Sequence, residues 1–207
     1  GEPFLSGVAE QKQMLELYIR SGQAGSISLH YTTNATLFPD QTWWNLWKHF
    51  KEIDLQLSID GVGQRYEYIR YPASWTELEN NVDRYLAIKE ANFRLSVSHT
   101  VSAYNVYYLD EFVSWCCKIG LPRPWMGKVH TPVHMRPGVW PATAKEFIAD
   151  KLAQSQHADV SNWANMIKNV DDSAHWNDFL QYLKQHDQYR GLDFCNTFPE
   201  LAHFINR

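Results

Sequence analysis

Three side chains of different chemistry follow one predicted strand, in the segment LQLSIDGVGQRYEYIRYP (residues 55–72): Ser58, Asp60 and Arg70. Ser and Asp can hydrogen-bond hydroxyl groups, and an Arg guanidinium can bind a carboxylate through two parallel hydrogen bonds. The set is therefore suited to a small zwitterion that carries a ribose. The alternative is structural: Ser-Ile-Asp-Gly is also typical of a turn, and Arg70 could form an ion pair with Glu67 or Asp60.

Polar residues also occur at other predicted strand ends and turns: Gly1, Glu2 and Pro3; Thr33 and Asn34; and Asn105. In parallel α/β folds, ligands bind beyond the carboxyl ends of the strands, so we expect these residues to converge on one ligand. Structural alternatives remain for each. Gly-Glu-Pro alone is typical of a turn, Thr33 and Asn34 could close ST or Asx turns, and Asn105 could cap a helix or close a turn.

Cys and His residues offer little for a metal. Cys116 and Cys117 lie on a predicted helix, about 100° apart, and cannot easily face one cluster. Cys195 is far along the chain. His130 and His134 have the spacing of a helical zinc pair, but the intervening Thr-Pro-Val disfavours a helix. The sequence therefore predicts no metal ligands in this chain.

Alternating strands and helices must position these residues. Residues 25–33, 52–60 and 93–102 are short apolar runs typical of strands. Helical patterns lie around them: residues 6–21 with Ser6 as cap and a stripe of Met14, Leu15, Tyr18 and Ile19; residues 42–50 with Thr42 as cap; a helix after the Ser74–Glu77 capping box; and a helix that stops at Gly120. This order predicts βα units and a parallel sheet, either barrel-type or doubly wound.

The composition changes near Leu121. The segment 121–141 is rich in proline and predicts one last extended piece within loops. From Pro141 onward the pattern is helical, with further helices expected near Ser161, Ser173 and Pro199. We therefore predict two regions, residues 1–140 and a helical extension over residues 141–207.

Composition excludes several classes of protein. The net charge of −4 lacks the basic footprint of a nucleic-acid binder, and no apolar run is long enough for a membrane span. Three cysteines do not suggest a secreted disulfide framework, so we expect a reducing, cytoplasmic location. The aromatic cluster Trp43, Trp44 and Trp47 could be a partner-binding face, but packing of Trp43 and Trp47 on the sheet is favoured.

Taken in order, the segments GEPFL, TTNAT, SIDGVGQRYEYIR and AYN resemble the radical S-adenosylmethionine (SAM) enzymes, closest to those with a twitch or SPASM type of C-terminal extension. The tail YRGLDFCNTFPELAHFIN resembles the C-terminal end of twitch-type members. The resemblance implies an incomplete partial (β/α)6 barrel, present from the end of the family's second strand onward. It also implies a [4Fe-4S] cluster, an electron donor such as a flavodoxin or ferredoxin, and a substrate that is a peptide in many relatives.

The resemblance also implies roles for individual residues. Gly1, Glu2 and Pro3 match the family's Gly-Gly-Glu-Pro strand end, whose Glu holds the amino group of SAM. Ser58 matches a SAM-binding Ser. The remaining matches line the same cofactor: Thr33, Asn34, Asp60, Arg70 and Asn105.

One departure from the family concerns the cluster. The family's Cys-x3-Cys-x2-Cys loop, which holds the [4Fe-4S] cluster, is not in this sequence. We therefore expect a fragment cut at GEPFLS that holds SAM-binding residues but does not itself cleave SAM. Two alternatives stay open: a cluster-less module that binds SAM, a nucleoside or a protein partner, and a metal hydrolase on an α/β barrel.

Overall fold

The computed structural model describes residues 2–5 and 7–205. Its strands are β1 (Ser28–Thr33), β2 (Glu52–Ser58), β3 (Phe93–Val101) and β4 (Trp125–Lys128). Its α-helices are α1 (Val8–Arg20), α2 (Gln41–Trp47), α3 (Gln64–Ile69), α4 (Trp75–Leu86), α5 (Leu109–Ile119), α6 (Ala142–Ala153), α7 (Ala158–Asn169), α8 (Trp176–Arg190), α9 (Phe194–Thr197) and α10 (Pro199–Ile205). The strands predicted at 25–33, 52–60 and 93–102 are confirmed as β1 to β3. β4 is the extended segment expected in the proline-rich region.

All strands are parallel and lie in the order β1-β2-β3-β4. The order in the sheet follows the order in the chain, so each crossover leads to the neighbouring strand and all carboxyl ends lie along one edge. Ser58, the last residue of β2, lies opposite Ser98, so β3 continues past the end of β2 as far as Val101. The predicted α/β class with a parallel sheet is confirmed.

The two faces of the sheet differ in polarity. In β2, Leu55 and Leu57 are fully buried under the helices, whereas the alternate residues Gln56 and Ser58 are half-buried. The second face, which we call the polar face, carries Ser28, His30, Thr32, Asp54, Gln56, Ser58, Arg94, Ser96, Ser98 and Thr100. Its side chains bond across strands: His30 Nδ1 lies 2.9 Å from Asp54 Oδ2, and Ser96 Oγ donates to Asp54 Oδ1 at 3.0 Å. Parallel sheets are usually apolar on both faces, so this alternation is unusual.

The C-terminal helices share a hydrophobic core with the carboxyl edge of the sheet. One cluster of buried side chains joins Tyr68, Val101 and Tyr104 to Trp140 and Phe198. The Trp140 indole also donates a hydrogen bond to the Ala103 carbonyl at 3.0 Å. Residues on both sides of position 140 therefore pack together, and the division into 1–140 and 141–207 stays a prediction.

Some helix boundaries lie where the sequence predicts them and others do not. Ser74 caps α4 by accepting from the Glu77 amide, and Gly120, with φ of 82°, ends α5 as predicted. α3 was not predicted. α7 begins at Ala158, three residues ahead of the expected Ser161, whereas a 3-10 turn begins at the expected Ser173 and leads directly into α8 at Trp176.

The apolar stripe predicted for α1 is only partly buried, which corrects the prediction. Leu15 is fully buried, but Met14 and Tyr18 are 45% and 39% exposed. Leu15 packs in one cluster with Trp43 and Trp47 of α2 and Ile53 of β2, so only a narrow part of α1 meets the core. The predicted cap, Ser6, lies outside the described residues.

Asp40, and not Thr42, caps α2. The Asp40 carboxylate accepts from the amides of Thr42 and Trp43 at 2.9 and 3.3 Å, and Thr42 lies inside the helix. Asp40 directly precedes the helix and can therefore reach its free amides. Trp43 and Trp47 are buried and Trp44 is half-buried, which confirms that this cluster packs on the sheet.

Candidate functional site

The side-chain carboxylate of Glu2 forms hydrogen bonds with residues at the carboxyl end of β1. Glu2 accepts a hydrogen bond from Thr33 Oγ1 at 2.6 Å and another from the Asn34 amide at 2.9 Å. The local turns expected for Thr33 and Asn34 also form. The Ala35 amide donates to Thr33 Oγ1 at 3.1 Å, and the Thr36 amide donates to Asn34 Oδ1 at 3.0 Å. The structure thus brings Glu2 together with Thr33 and Asn34, which come much later in the chain.

Asp60 and Arg70 form an ion pair beyond β2. Arg70 Nη2 lies 2.6 Å from Asp60 Oδ2, and the Thr100 amide donates to Asp60 Oδ1 at 2.7 Å. Glu67, the other partner considered for Arg70, instead accepts from the Trp75 amide. The carboxylate of Asp60 is only 9% exposed, so this is not a surface pair. Arg70 Nε is buried and finds no hydrogen-bond partner within the described chain.

The turn that carries Asp60 is tight. A Cβ placed on Gly61 would lie 3.0 Å from the backbone nitrogen of Tyr66 in α3. Glycine at this position therefore lets the end of β2 approach the start of α3 closely. This approach brings Arg70, at the far end of α3, back towards Asp60.

Asn105 joins the ends of β2 and β3. Its side-chain amide donates to the carbonyls of Asp60 and Thr100 at 3.0 and 2.9 Å, and its oxygen accepts from the Ser102 amide at 2.7 Å. Asn105 is 2% exposed. Its bonds are those of the turn residue considered from the sequence, and they make Asn105 a positioning residue for Asp60.

The remaining predicted residues are more dispersed. Ser58 lies on the polar face, where its hydroxyl is 3.3 Å from that of Ser98. The Pro3 carbonyl accepts from Gln11 Nε2 at 3.4 Å. Gly1 lies outside the described residues.

A cavity of about 440 Å³ connects two of the strand ends. Asn34 reaches it from the end of β1 and Arg70 from beyond β2; its other lining residues are Thr36, Leu37, Tyr71, Pro72, Ala73 and Glu77. We call it the Arg70 cavity. Tyr71 was not predicted as a lining residue, and Glu77 was predicted only as part of a capping box. Both follow Arg70 closely in the chain, and this proximity is the signal that could have identified them.

His99 is a second residue whose position was not predicted from the sequence. It lies in β3 on the helix-covered face, is 1% exposed, and its Nδ1 is 2.9 Å from the Ile59 carbonyl oxygen. Its Nε2 is buried without a partner in the described residues. Burial lowers the pKa of His99, so the ring is neutral at pH 7. The sequence signal that could have identified this burial is that His99 alternates with Val97 and Val101 along β3.

Tyrosine and cysteine side chains near the sheet are held in their neutral forms. Burial raises the pKa of Tyr66 to about 12, and its hydroxyl has no partner among the residues described. Burial likewise raises the pKa of the Cys116 thiol to about 12. Neither group is therefore an ionised nucleophile at neutral pH.

No metal centre is formed within residues 2–5 and 7–205, where no group of three or more His, Cys, Asp or Glu side chains could hold an ion. Cys116 is buried and its neighbour Cys117 is exposed, as expected for adjacent residues on a helix. Cys195 lies in α9. The His134 ring packs on Tyr182, with ring centroids 4.8 Å apart. The described residues therefore do not fit a [4Fe-4S] cluster.

The chain matches no protein-family model, and no curated protein or solved structure is significantly similar to it. Within the described residues, no helix combines the length and apolar character needed to cross a bilayer.

Proposed function

We propose that this chain binds SAM at the carboxyl edge of its parallel sheet, as the SAM-binding part of a radical SAM-type enzyme. One observation carries the proposal: Asn34, at the end of β1, and Arg70, at the end of α3 beyond β2, line the same cavity. The chain order of the parallel strands and the polar face support a partial barrel, since a barrel interior lined by polar groups would alternate in this way.

The Arg70 cavity suits the chemistry of SAM. Its volume of about 440 Å³ lies in the range typical of small-molecule sites. The Arg70 guanidinium would bind the carboxylate of SAM, and the Glu77 carboxylate at the rim would attract its ammonium and sulfonium groups. The exposed Tyr71 ring offers a stacking surface for the adenine.

Other predicted residues act on this cavity indirectly. Glu2 holds Asn34 through its amide, and Asn105 holds the Asp60 carbonyl. Asp60 in turn orients Arg70 through one end of its guanidinium. The ligand would therefore meet a guanidinium whose direction is already set, which lowers the entropy lost on binding.

The cluster chemistry implied by the resemblance is a separate matter. Because the described residues do not fit a [4Fe-4S] cluster, we assign no reaction step to it and none to an electron donor. For this chain we propose SAM binding alone. The radical reaction and its substrate remain expectations that come from the resemblance to radical SAM enzymes.

Isothermal titration of the 207-residue chain with SAM in EDTA-containing buffer tests the proposal. We expect saturable binding with Kd on the order of 10–100 µM. Methionine and adenosine, each carrying half of the contacts, should bind at least about tenfold more weakly. A correctly folded chain that shows no heat of binding with millimolar SAM would contradict the proposal.

Variants locate the binding. Tyr71→Ala, in an exposed side chain, should weaken SAM binding by about three- to tenfold while leaving the fold intact. Arg70→Met should weaken it by at least about tenfold, although it also leaves Asp60 unpaired, so its fold is checked by circular dichroism. Arg123→Met, which removes an exposed Arg paired with Asp159 away from the cavity, is the matched control and should bind normally.

A further inference from the structure

A second cavity lies between the sheet edge and α8. Its volume is about 250 Å³. The sheet side contributes residues at the ends of β2, β3 and β4, and α8 contributes one side of its surface; the lining residues that matter here are Asp60, Tyr104, Met135, Tyr182, His186 and Arg190. We call it the α8 cavity. It is separate from the Arg70 cavity, and each touches one member of the Asp60–Arg70 pair.

Three residues of α8 face this cavity because they are spaced four apart. Tyr182, His186 and Arg190 therefore lie on one side of the helix, over the strand ends. The rings of Tyr182 and His186 lie 4.1 Å apart, and His186 Nδ1 is 3.5 Å from the Tyr104 hydroxyl. Burial and the neighbouring Arg190 lower the pKa of His186, so this ring is neutral at pH 7.

Arg190 is the charged residue of the α8 cavity lining that has no ion-pair partner among the described residues. Arg190 Nη1 donates to the Tyr68 carbonyl at 3.1 Å, and the guanidinium lies 5.3 Å from the centre of the Tyr71 ring. Neither contact neutralises it, and no carboxylate among the described residues forms an ion pair with Arg190. The negative charge of Asp60 is already balanced by Arg70 at 2.6 Å. Asp187, next to His186, accepts from the Tyr68 hydroxyl and the Phe194 amide and is not part of the lining.

The rest of the lining is mostly apolar. Ile69, Val129, Pro132, Met135 and the two tyrosine rings form most of it, and Thr100 and Ser102 add two small polar residues. An apolar cavity with one unneutralised guanidinium and a neutral imidazole favours a ligand with an apolar body and one anionic end. Its volume is below the range of drug-sized sites, so that ligand must be small.

We propose that the α8 cavity binds a small carboxylate with an aromatic or branched aliphatic body, whose carboxylate pairs with Arg190. The proposal rests on the cavity and its charge and not on SAM binding. A failure of SAM binding therefore leaves it untouched, and the reverse also holds.

Methionine methyl NMR on the wild-type chain tests the proposal with benzoate as probe and benzamide as its neutral counterpart. The chain has four methionines. Met135 lines the cavity, and Met14, exposed on α1, is an internal control. We expect benzoate to shift the Met135 methyl signal saturably and the Met14 signal not at all. Benzamide should bind at least about tenfold more weakly.

Variants test the role of the charge. Arg190→Met should reduce benzoate affinity at least about tenfold and leave that of benzamide unchanged, whereas Arg123→Met should change neither. If Arg190→Met does not fold, Arg190→Lys is used instead. Lysine keeps the positive charge but cannot form two parallel hydrogen bonds to the carboxylate, so this variant should retain part of the benzoate affinity. The proposal is overturned if benzoate leaves the Met135 signal unmoved, if it moves Met14 equally, or if benzamide binds as tightly.

Discussion

His99 is an ionisable ring placed where water does not reach. Its Nδ1 bonds the Ile59 carbonyl, and one face of the ring packs on Phe112 with centroids 4.2 Å apart. Protonation would place a charge inside the helix-covered layer, and the cost of burying that charge outweighs the attraction of the nearby Asp60 carboxylate. The buried ring therefore links the stability of the β2–β3 edge to pH.

The sign of this effect follows from the lowered pKa of His99. The unfolded chain takes up a proton as pH falls below about 6.5, whereas the folded chain resists it. The stabilisation is thus fully present above pH 6.5 and is lost as pH falls towards the folded pKa, by up to about 1.4 kcal/mol per pH unit. Urea unfolding at pH 7.5, 6.5 and 5.5 measures it.

Two substitutions separate His99 from the other histidines. His99→Phe removes this titrating group and should reduce the pH dependence to the part that other groups, such as His186, contribute, even if the lost hydrogen bond lowers stability at every pH. His49→Gln, at an exposed position, should keep the wild-type slope. An unchanged slope in His99→Phe would contradict the assignment.

At the scale of elements, the start of α2 depends on a carboxylate outside the helix. Asp40 accepts from two amides of the first turn and also contacts Lys12 of α1. The helix in turn presents Trp43 and Trp47 to the sheet, where both are buried. A cap at Asp40 therefore helps to place the aromatic cluster.

Asp40→Ala should lower the free energy of unfolding by about 1 kcal/mol because the amides of Thr42 and Trp43 lose their acceptor. Asp40→Asn keeps an acceptor at the same position and should cost less than half as much. Chemical denaturation followed by tryptophan fluorescence gives both values. If Thr42 were the cap, Asp40→Ala would have no measurable effect.

Other elements carry out tasks that are visible only in three dimensions. The short helix α3, which the sequence did not predict, returns the chain from the end of β2 so that Arg70 meets Asp60. α8 comes more than a hundred residues after β2, yet Tyr182, His186 and Arg190 close a cavity that Asp60 also lines. In each case the element's role depends on where it packs.

At the scale of the whole molecule, the C-terminal helices and the sheet edge share one core. Phe198, fully buried, packs on Phe194 at 4.6 Å and on Tyr68 at 5.1 Å between ring centroids. It also stacks with Tyr104, which follows β3. Because these contacts cross position 140, we expect the sheet edge and the C-terminal helices to unfold together.

Phe198→Ala should lower the free energy of unfolding by about 3–5 kcal/mol. Hydrogen exchange of the variant should speed up in β3 as well as in α9 and α10. Tyr189→Ala, at a residue that is 87% exposed in α8, should leave both unchanged. Faster exchange confined to the C-terminal helices would show two independent units.

Most of the local structure follows from the amino-acid sequence. Short apolar runs predict β1 to β3, Ser74 predicts the start of α4, and Gly120 predicts the end of α5, because each signal acts within a few residues of its effect. The parallel order of the elements also follows from their alternation along the chain. The polar character of the strand ends likewise follows from the residue types alone.

The partners of these polar groups, in contrast, depend on how the chain packs in three dimensions. It pairs Arg70 with Asp60 and not with Glu67, commits Asn105 to the backbone, and buries His99. It also brings Arg190 to the same edge of the sheet. These outcomes depend on contacts between residues far apart in the chain, whose burial and partners no local pattern specifies.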